Sequence, residues 1–568
     1  MIAINYRTRS SIVFLLFCVL YAIMIANLYY LQITQKDFFA QLANKQYNVT
    51  VTQLPPRALI VDRTGKPLAL NKDALSAFIM PKMLKHPDSL KKFLKKNYPK
   101  AYERLVKRPD AHFLFVKRHL AENETFAHED IHILKEPSRY YPLRSAGPII
   151  GLTDIDNNGL FGIELMYNKQ LAGTPITYGL AKDARSGHFY FDKKVKTEGH
   201  EGEPIKLTID RDIQFLAYEK IKEAAQEHGA QSAAALVMDP TTGEILAAVQ
   251  YPTFDTDNIK TIDQKQTKLH VATESYELGS VIKTFLALAA LEEGVVTPDE
   301  EIDCEGVLSG FVNGMKVNTT FANGCIPFSD VIKKSNNIGV AKVAFRLQDK
   351  LYNHYRTLGF GTKTGLNFPG EQAGFVNPPH RWSNRSLISL SFGYEISTTL
   401  VQLAQAIGII ANNGHMVPPT LVISKTSLNR AVLDMATENR KNSKNSGLPE
   451  RGRKAELQET DLLYSPESIA QMRNILEQTA ASTTKSLSTI PGLKVMGKTG
   501  TARLISNGKY VENKNIYTFA GILEKGDYKR VIITFIKEIQ NPGVLASVIA
   551  APVFVQIAQQ LLIHDKKT

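Results

Sequence analysis

Residues 12–31, IVFLLFCVLYAIMIANLYYL, contain no charged side chain. As a helix, twenty such positions span about 30 Å, enough to cross the hydrocarbon core of a bilayer. Arg7 and Arg9 precede the run, which places the N-terminus on the cytoplasmic side. Tyr29 and Tyr30 suit the far interface. The run is longer than the apolar region of a cleaved signal peptide, and no A-x-A-like site follows it, so it reads as an uncleaved anchor. No second run of that length occurs. The expectation is a short cytoplasmic tail (1–11), a single transmembrane anchor (12–31), and everything from residue 32 onward outside the cytoplasm.

The remaining chain is too long for one ordinary domain: 568 residues in all, 43% hydrophobic and 22% charged, the composition of a globular protein. The net charge of +13 is spread along the chain without any RNP, zinc-finger or basic-helix signature, so no nucleic-acid partner is expected. A solvated basic surface accounts for it, as does attraction to anionic lipid or cell-wall polymer. None of the three cysteines lies in a Cys/His cluster with zinc spacing, so no metal is expected. Cys304 and Cys325 flank a polar stretch, and both a disulfide and two free thiols stay open.

Along the chain, 32–50 reads as a polar juxtamembrane helix, PPRALIVDRTGKPLALN (55–71) as strand, turn and strand, and 80–135 as basic and helix-like. HEGEPIKLTIDRDIQ marks a boundary near 203/204. Beyond it come a helix over 212–227 and a hairpin, SAAALVMDPTTGEILAAVQYP (232–252). A buried helix, VIKTFLALAALEEG, ends at Gly294. The polar stretch 437–460 reads as an insertion or disordered loop. Ser465 and Pro466 open another helix. Strands LKVMGKTGTARL and YKRVIITFIKE and a final helix complete the chain. Strand hairpins at both ends enclosing helical sequence imply an antiparallel sheet, hence an α+β fold with two extracytoplasmic domains, 32–203 and 204–568.

Three short motifs carry chemistry. In YELGSVIKTF, Gly279 allows a sharp turn and Ser280 stands where a helix begins with unpaired N–H groups that can stabilise an oxyanion. Lys283 lies three residues on among apolar neighbours, where burial favours the neutral amine and lets it act as a base. Ser335, Asn336 and Asn337 stand at another helix start: a cap, or Ser335 as proton relay with Asn337 holding a substrate amide. In VMGKTGTAR, Lys498 sits on a strand that Gly497 and Gly500 open to close approach, suited to pairing with an extended peptide and holding its carboxylate. A second KTG, Lys363–Gly365, runs into a Pro-Gly turn and reads as structural. SxxK, SxN and KTG in that order are the signature of penicillin-recognising serine enzymes.

With these motifs, the chain resembles class B penicillin-binding proteins, and RALIVDRTG, RYYP, GLFGIE, SFGYEISTTLVQLAQA and TFAG are similar to family segments along nearly its whole length. Ala58 and Leu278 stand where the family usually has Gly and Pro. The SNN triplet, KTGTA and single anchor look most like the division-type (FtsI-like) enzyme, with the elongation type as the near alternative and a β-lactamase or D,D-carboxypeptidase as a more distant one. The resemblance implies an elongated mixed pedestal followed by a transpeptidase domain with a five-stranded antiparallel sheet covered by helices and an all-helical subdomain. It implies Ser280 as nucleophile, Lys283 as base, Ser335 as relay, Asn337 on the substrate amide, Lys498 and Thr499 on the terminal carboxylate beside Gly500 and Thr501, and an oxyanion hole from the Ser280 and Thr501 N–H groups. It implies peptidoglycan crosslinking during septal synthesis at the bacterial inner membrane with no cofactor, β-lactams as inhibitors, and a SEDS-family glycan polymerase and other division proteins as partners.

Overall fold

The structure, a computed structural model, describes residues 6–565 except 54, 112, 122–123, 127, 183–188, 258–261, 424–461 and 507–508. The expected insertion at 437–460 lies outside the described residues. The chain divides into two compact units: 1–57 with 172–202, and 58–171 with 203–568.

In the first unit the apolar run is helical over Tyr6–Tyr29, and helical backbone continues to Thr34 with every described side chain of the span exposed. A water-soluble fold would bury so apolar a helix, so its exposure fits a lipid-facing segment. The juxtamembrane helix runs Lys36–Tyr47 and gives way at Asn48 to a strand, Asn48–Gln53. That strand pairs antiparallel with Ile176–Lys182, which pairs with Phe189–Thr197.

The second unit begins with the hairpin expected around Asp62. Its buried carboxylate accepts from the Thr64 and Lys66 N–H groups and the Thr64 hydroxyl, each at 2.8 Å, which closes the turn. The stretch 80–135 departs from the helical reading. Two helices, Pro87–Asn97 and Pro99–Lys107, bury Leu90, Leu94, Ala101 and Leu105, but Leu114–Lys117 and His132–Tyr140 are strands. Both pair with the long strand Pro67–Ile79. Apolar and β-prone residues at 113–116 find their partner some forty residues upstream, a contact that local periodicity does not report.

The main sheet of this unit has five antiparallel strands: β1 (Ser232–Met238), β2 (Ile245–Tyr251), β3 (Lys494–Ser506), β4 (Lys509–Lys525) and β5 (Tyr528–Lys537), in the order β2-β1-β5-β4-β3. Its principal helices are α1 (Arg211–Glu227), α2 (Lys283–Glu292), α3 (Asn337–Leu347), α4 (Leu400–Ala411), α5 (Pro466–Ala480) and α6 (Ala546–His564). Side chains of β1 alternate between two cores, as strand geometry requires. Ala233, Ala235 and Val237 pack with α1 and α6, while Ala234, Leu236 and Met238 pack with α2, α4 and α5. All of α4, and all of α2 as far as Leu291, is buried, which explains sequences that are apolar on every face. Helix α6 is long and apolar enough to span a bilayer but is packed on the sheet. The subdomain expected to be all-helical also carries three two-stranded ribbons, Glu301–Asp303 with Cys325–Pro327, Ser309–Val312 with Met315–Asn318, and Phe375–Val376 with Ile396–Ser397. Cys304 and Cys325 are free thiols, Cys304 being buried against Gly339 of α3.

Candidate active site

Leu278, Gly279 and Ser280 form a tight turn ahead of α2. Gly279 has φ +58°, and a Cβ there would sit 2.4 Å from the Thr501 carbonyl oxygen. Across the same contact, a Cβ on Gly500 would lie 2.3 Å from the Leu278 carbonyl oxygen and 3.1 Å from the Val281 nitrogen. The two glycines let the Ser280 turn press directly on β3, the edge strand of the sheet. This contact brings the Ser280 and Thr501 segments, expected to supply the oxyanion hole, side by side.

Lys283 begins α2 and is fully buried. Its ammonium donates to the Ser335 carbonyl at 2.7 Å, the Ser335 hydroxyl at 3.1 Å and the Asn337 Oδ1 at 2.5 Å. Lys498, 1% exposed on β3, donates to the same Ser335 hydroxyl at 3.2 Å and to the Thr499 carbonyl at 3.2 Å. The Ser335 oxygen thus accepts from both lysines, which uses both its lone pairs and leaves its own proton to donate elsewhere. Ser335 holds φ +56°, an uncommon conformation for a residue with a Cβ, of the kind that clusters at functional sites.

The triplet divides between a helix cap and the lysine network. Asn336 is the cap of α3, its Oδ1 accepting from the Gly339 N–H at 3.0 Å. Ser335 and Asn337 face the lysines, and Asn337 also donates to the Asn318 carbonyl at 2.7 Å.

No carboxylate pairs with Lys283 or Lys498 among the described residues. Burial, with the charge of Lys498 behind it, holds the Lys283 ammonium well below its ordinary range. Burial alone lowers Lys498 to about 8. A buried cation without a counter-ion is costly, and either deprotonation or an incoming anion relieves it.

A cavity of about 650 Å³ opens over this network, lined by Ser280, Ser335, Asn337, Lys498, Thr499 and Thr501. Ser280 is half-buried there and makes no side-chain hydrogen bond among the described residues. Gly500 does not line the cavity; it packs behind Ser280 instead. The cavity also takes Phe392 and Tyr394, Thr320 and Phe321, Lys333 and Lys334, and Thr479, which sequence reasoning did not assign. Of these, only Phe392 and Tyr394 carried a signal, within SFGYEISTT. The second KTG is a turn, its Thr364 N–H and hydroxyl donating to Glu371 at 2.8 and 2.6 Å. Asp210, Asp212 and His564 come close enough to share a cation, but Asp210 caps α1 and Asp212 pairs with Lys66 at 2.7 Å.

Residues 233–559 match the penicillin-binding protein transpeptidase domain, and 52–207 match the penicillin-binding protein dimerisation domain. The chain belongs to the penicillin-binding protein transpeptidase family. It is 27% identical over 570 residues to a probable peptidoglycan D,D-transpeptidase, PbpC, of Pseudomonas aeruginosa, covering 97% of this chain and 94% of that one. It is 26% identical over 582 residues to the peptidoglycan D,D-transpeptidase FtsI of Buchnera aphidicola, covering 98% and 95%. The fold is similar to that of penicillin-binding protein 3 from Mycobacterium tuberculosis, with a TM-score of 0.64 at 24% identity over 91% of this chain and 97% of that one. The α+β architecture and penicillin-binding domain order expected from sequence are those found in the chain.

Proposed function

We propose that this penicillin-binding protein is a division-type peptidoglycan D,D-transpeptidase. The observation that carries the reading is one hydroxyl, Ser335 Oγ, shared by two buried lysines with no counter-ion among the described residues, beside Ser280 in an open cleft. In this reading neutral Lys283 takes the Ser280 proton as Ser280 Oγ attacks the penultimate D-alanine carbonyl of a stem peptide. Lys498, with Thr499, holds the terminal carboxylate. The Ser280 and Thr501 N–H groups stabilise the oxyanion. Collapse of the tetrahedral intermediate breaks the C–N bond, and Ser335 passes a proton to the departing D-alanine amine. An amine from a second stem peptide then attacks the acyl-enzyme, forming the crosslink and returning Ser280 to its hydroxyl form. Asn337 orients Lys283 and offers its amide to the substrate backbone.

The anchor 12–31 places a pedestal (32–203) and catalytic domain (204–568) on the outer face of the inner membrane, where a SEDS-family glycan polymerase would supply glycan strands. The long identity with enzymes named as peptidoglycan transpeptidases, FtsI among them, supports the division role. Incubation of the solubilised protein with fluorescent penicillin tests the chemistry: stable label on the wild type and none on Ser280→Ala is expected. Absence of label on the wild type would overturn it, and rapid loss of label would indicate a hydrolase. Depletion in cells tests the role, filamentation supporting division and rounding supporting elongation.

A further inference from the structure

The described lining of the catalytic cavity contains three lysines, Lys333, Lys334 and Lys498, and no aspartate or glutamate. Cleft walls bearing charge of one sign draw ligands of the other. Lys498 accounts for one anion, the terminal carboxylate of the donor peptide. Lys333 and Lys334 stand apart from β3: Lys333 ends the helix Phe328–Lys333, and Lys334 leads directly into Ser335. Their one ion-pair partner among the described residues is Asp330, at 3.7 and 3.2 Å. Two ammonium groups sharing one carboxylate leave a positive charge uncompensated at the cleft wall. Both are partly exposed (45% and 40%), so they can reach a ligand without leaving buried surface.

We propose that Lys333 and Lys334 form a second anion subsite, which takes a carboxylate borne on the acyl side of the donor peptide. The cleft then reads two carboxylates on one substrate, the terminal one at Lys498 and an internal one at the lysine pair. Donor chains with a free internal carboxylate are favoured over those in which it is amidated or absent. The same holds for the acyl side chains of β-lactams. The pair binds and orients; no bond forms or breaks there. The inference rests on the transpeptidase reading of the cleft.

The test compares second-order acylation rates of the full-length, detergent-solubilised protein with benzylpenicillin and carbenicillin, which differ by one side-chain carboxylate. The measured quantity is the ratio of the two rates, so a general loss of active protein cancels. The ratio is expected to fall about 2- to 5-fold in Lys333→Gln/Lys334→Gln, the scale of partly exposed ion pairs, and to fall with added salt. Charge reversal, Lys333→Glu/Lys334→Glu, lowers it further. Asp330→Asn, which frees both ammonium groups, raises it. A ratio indifferent to all these substitutions and to salt overturns the subsite while leaving the transpeptidase reading intact. If the lysine variants fail to fold, the salt and Asp330→Asn arms decide alone. No acylation of the wild type by either penicillin overturns the transpeptidase reading and the subsite with it.

Discussion

At the scale of single residues, the site is organised around the hydroxyl of Ser335. Ser335 Oγ accepts from Lys283 and Lys498 together, so the protonation state of each lysine is felt by the other through a shared contact. Burial first, and then the charge of Lys498, lowers the Lys283 pKa well below its ordinary range. Acylation is therefore expected to rise with pH as Lys283 becomes neutral. It falls again above about 8, where Lys498 loses the charge proposed to hold a carboxylate. Stopped-flow acylation across pH checks this, and in Lys498→Ala the upper limb near 8 should vanish. Persistence of that limb would assign it to another group. Removing the proposed base by Lys283→Ala should slow acylation by about 10²- to 10⁴-fold, the usual worth of a positioned base. A change of a few-fold would leave Lys283 a structural cation.

At the scale of elements, the site exists because a tight turn rests on a sheet edge. Gly500 was expected among the substrate-binding residues, yet its missing side chain serves the turn behind Ser280. Gly500→Ala should destabilise the catalytic domain by about 1–3 kcal/mol through overpacking, read in denaturant unfolding, and slow acylation. Unchanged stability would mean that the turn can move away from β3. The SxxK, SNN and KTG motifs were legible because each sits at a helix start or on an edge strand whose local sequence declares it. The β1–β2 hairpin and the caps at Ser465 and Gly294 were legible for the same reason. The strands at 114–117 and 132–140 were not, because their stabilising partner lies far upstream. The lysine pair was hidden as well: adjacent lysines at a helix end look like solvated surface until the fold turns them into a cleft.

At the scale of the molecule, segments that looked merely family-like in sequence meet in one buried contact. Arg139 of RYYP pairs with Glu164 of GLFGIE at 2.8 Å and donates to the carbonyl of Ala58 in RALIVDRTG at 2.8 Å, with Arg139 and Glu164 side chains 1% and 0% exposed. The Asp62 carboxylate also accepts from the Arg211 N–H at 3.2 Å, and Gln214 bridges the Ser145 and Ala248 backbone, tying this region to the catalytic sheet. Glu164→Ala takes the carboxylate away from a buried guanidinium and should cost about 3–5 kcal/mol in thermal or denaturant unfolding. A cost below about 1 kcal/mol would show that water or a neighbour replaces the carboxylate. The exposed apolar helix predicts a separate behaviour: the full chain should stay with membranes after a high-salt wash, and a chain starting at residue 35 should be released. The central claim is that Ser280 is acylated. Peptide mapping by mass spectrometry after benzylpenicillin treatment tests it most directly: the account predicts a single penicilloyl adduct on the peptide containing Ser280, lost in Ser280→Ala. An adduct on another residue, or one that survives that substitution, would contradict it.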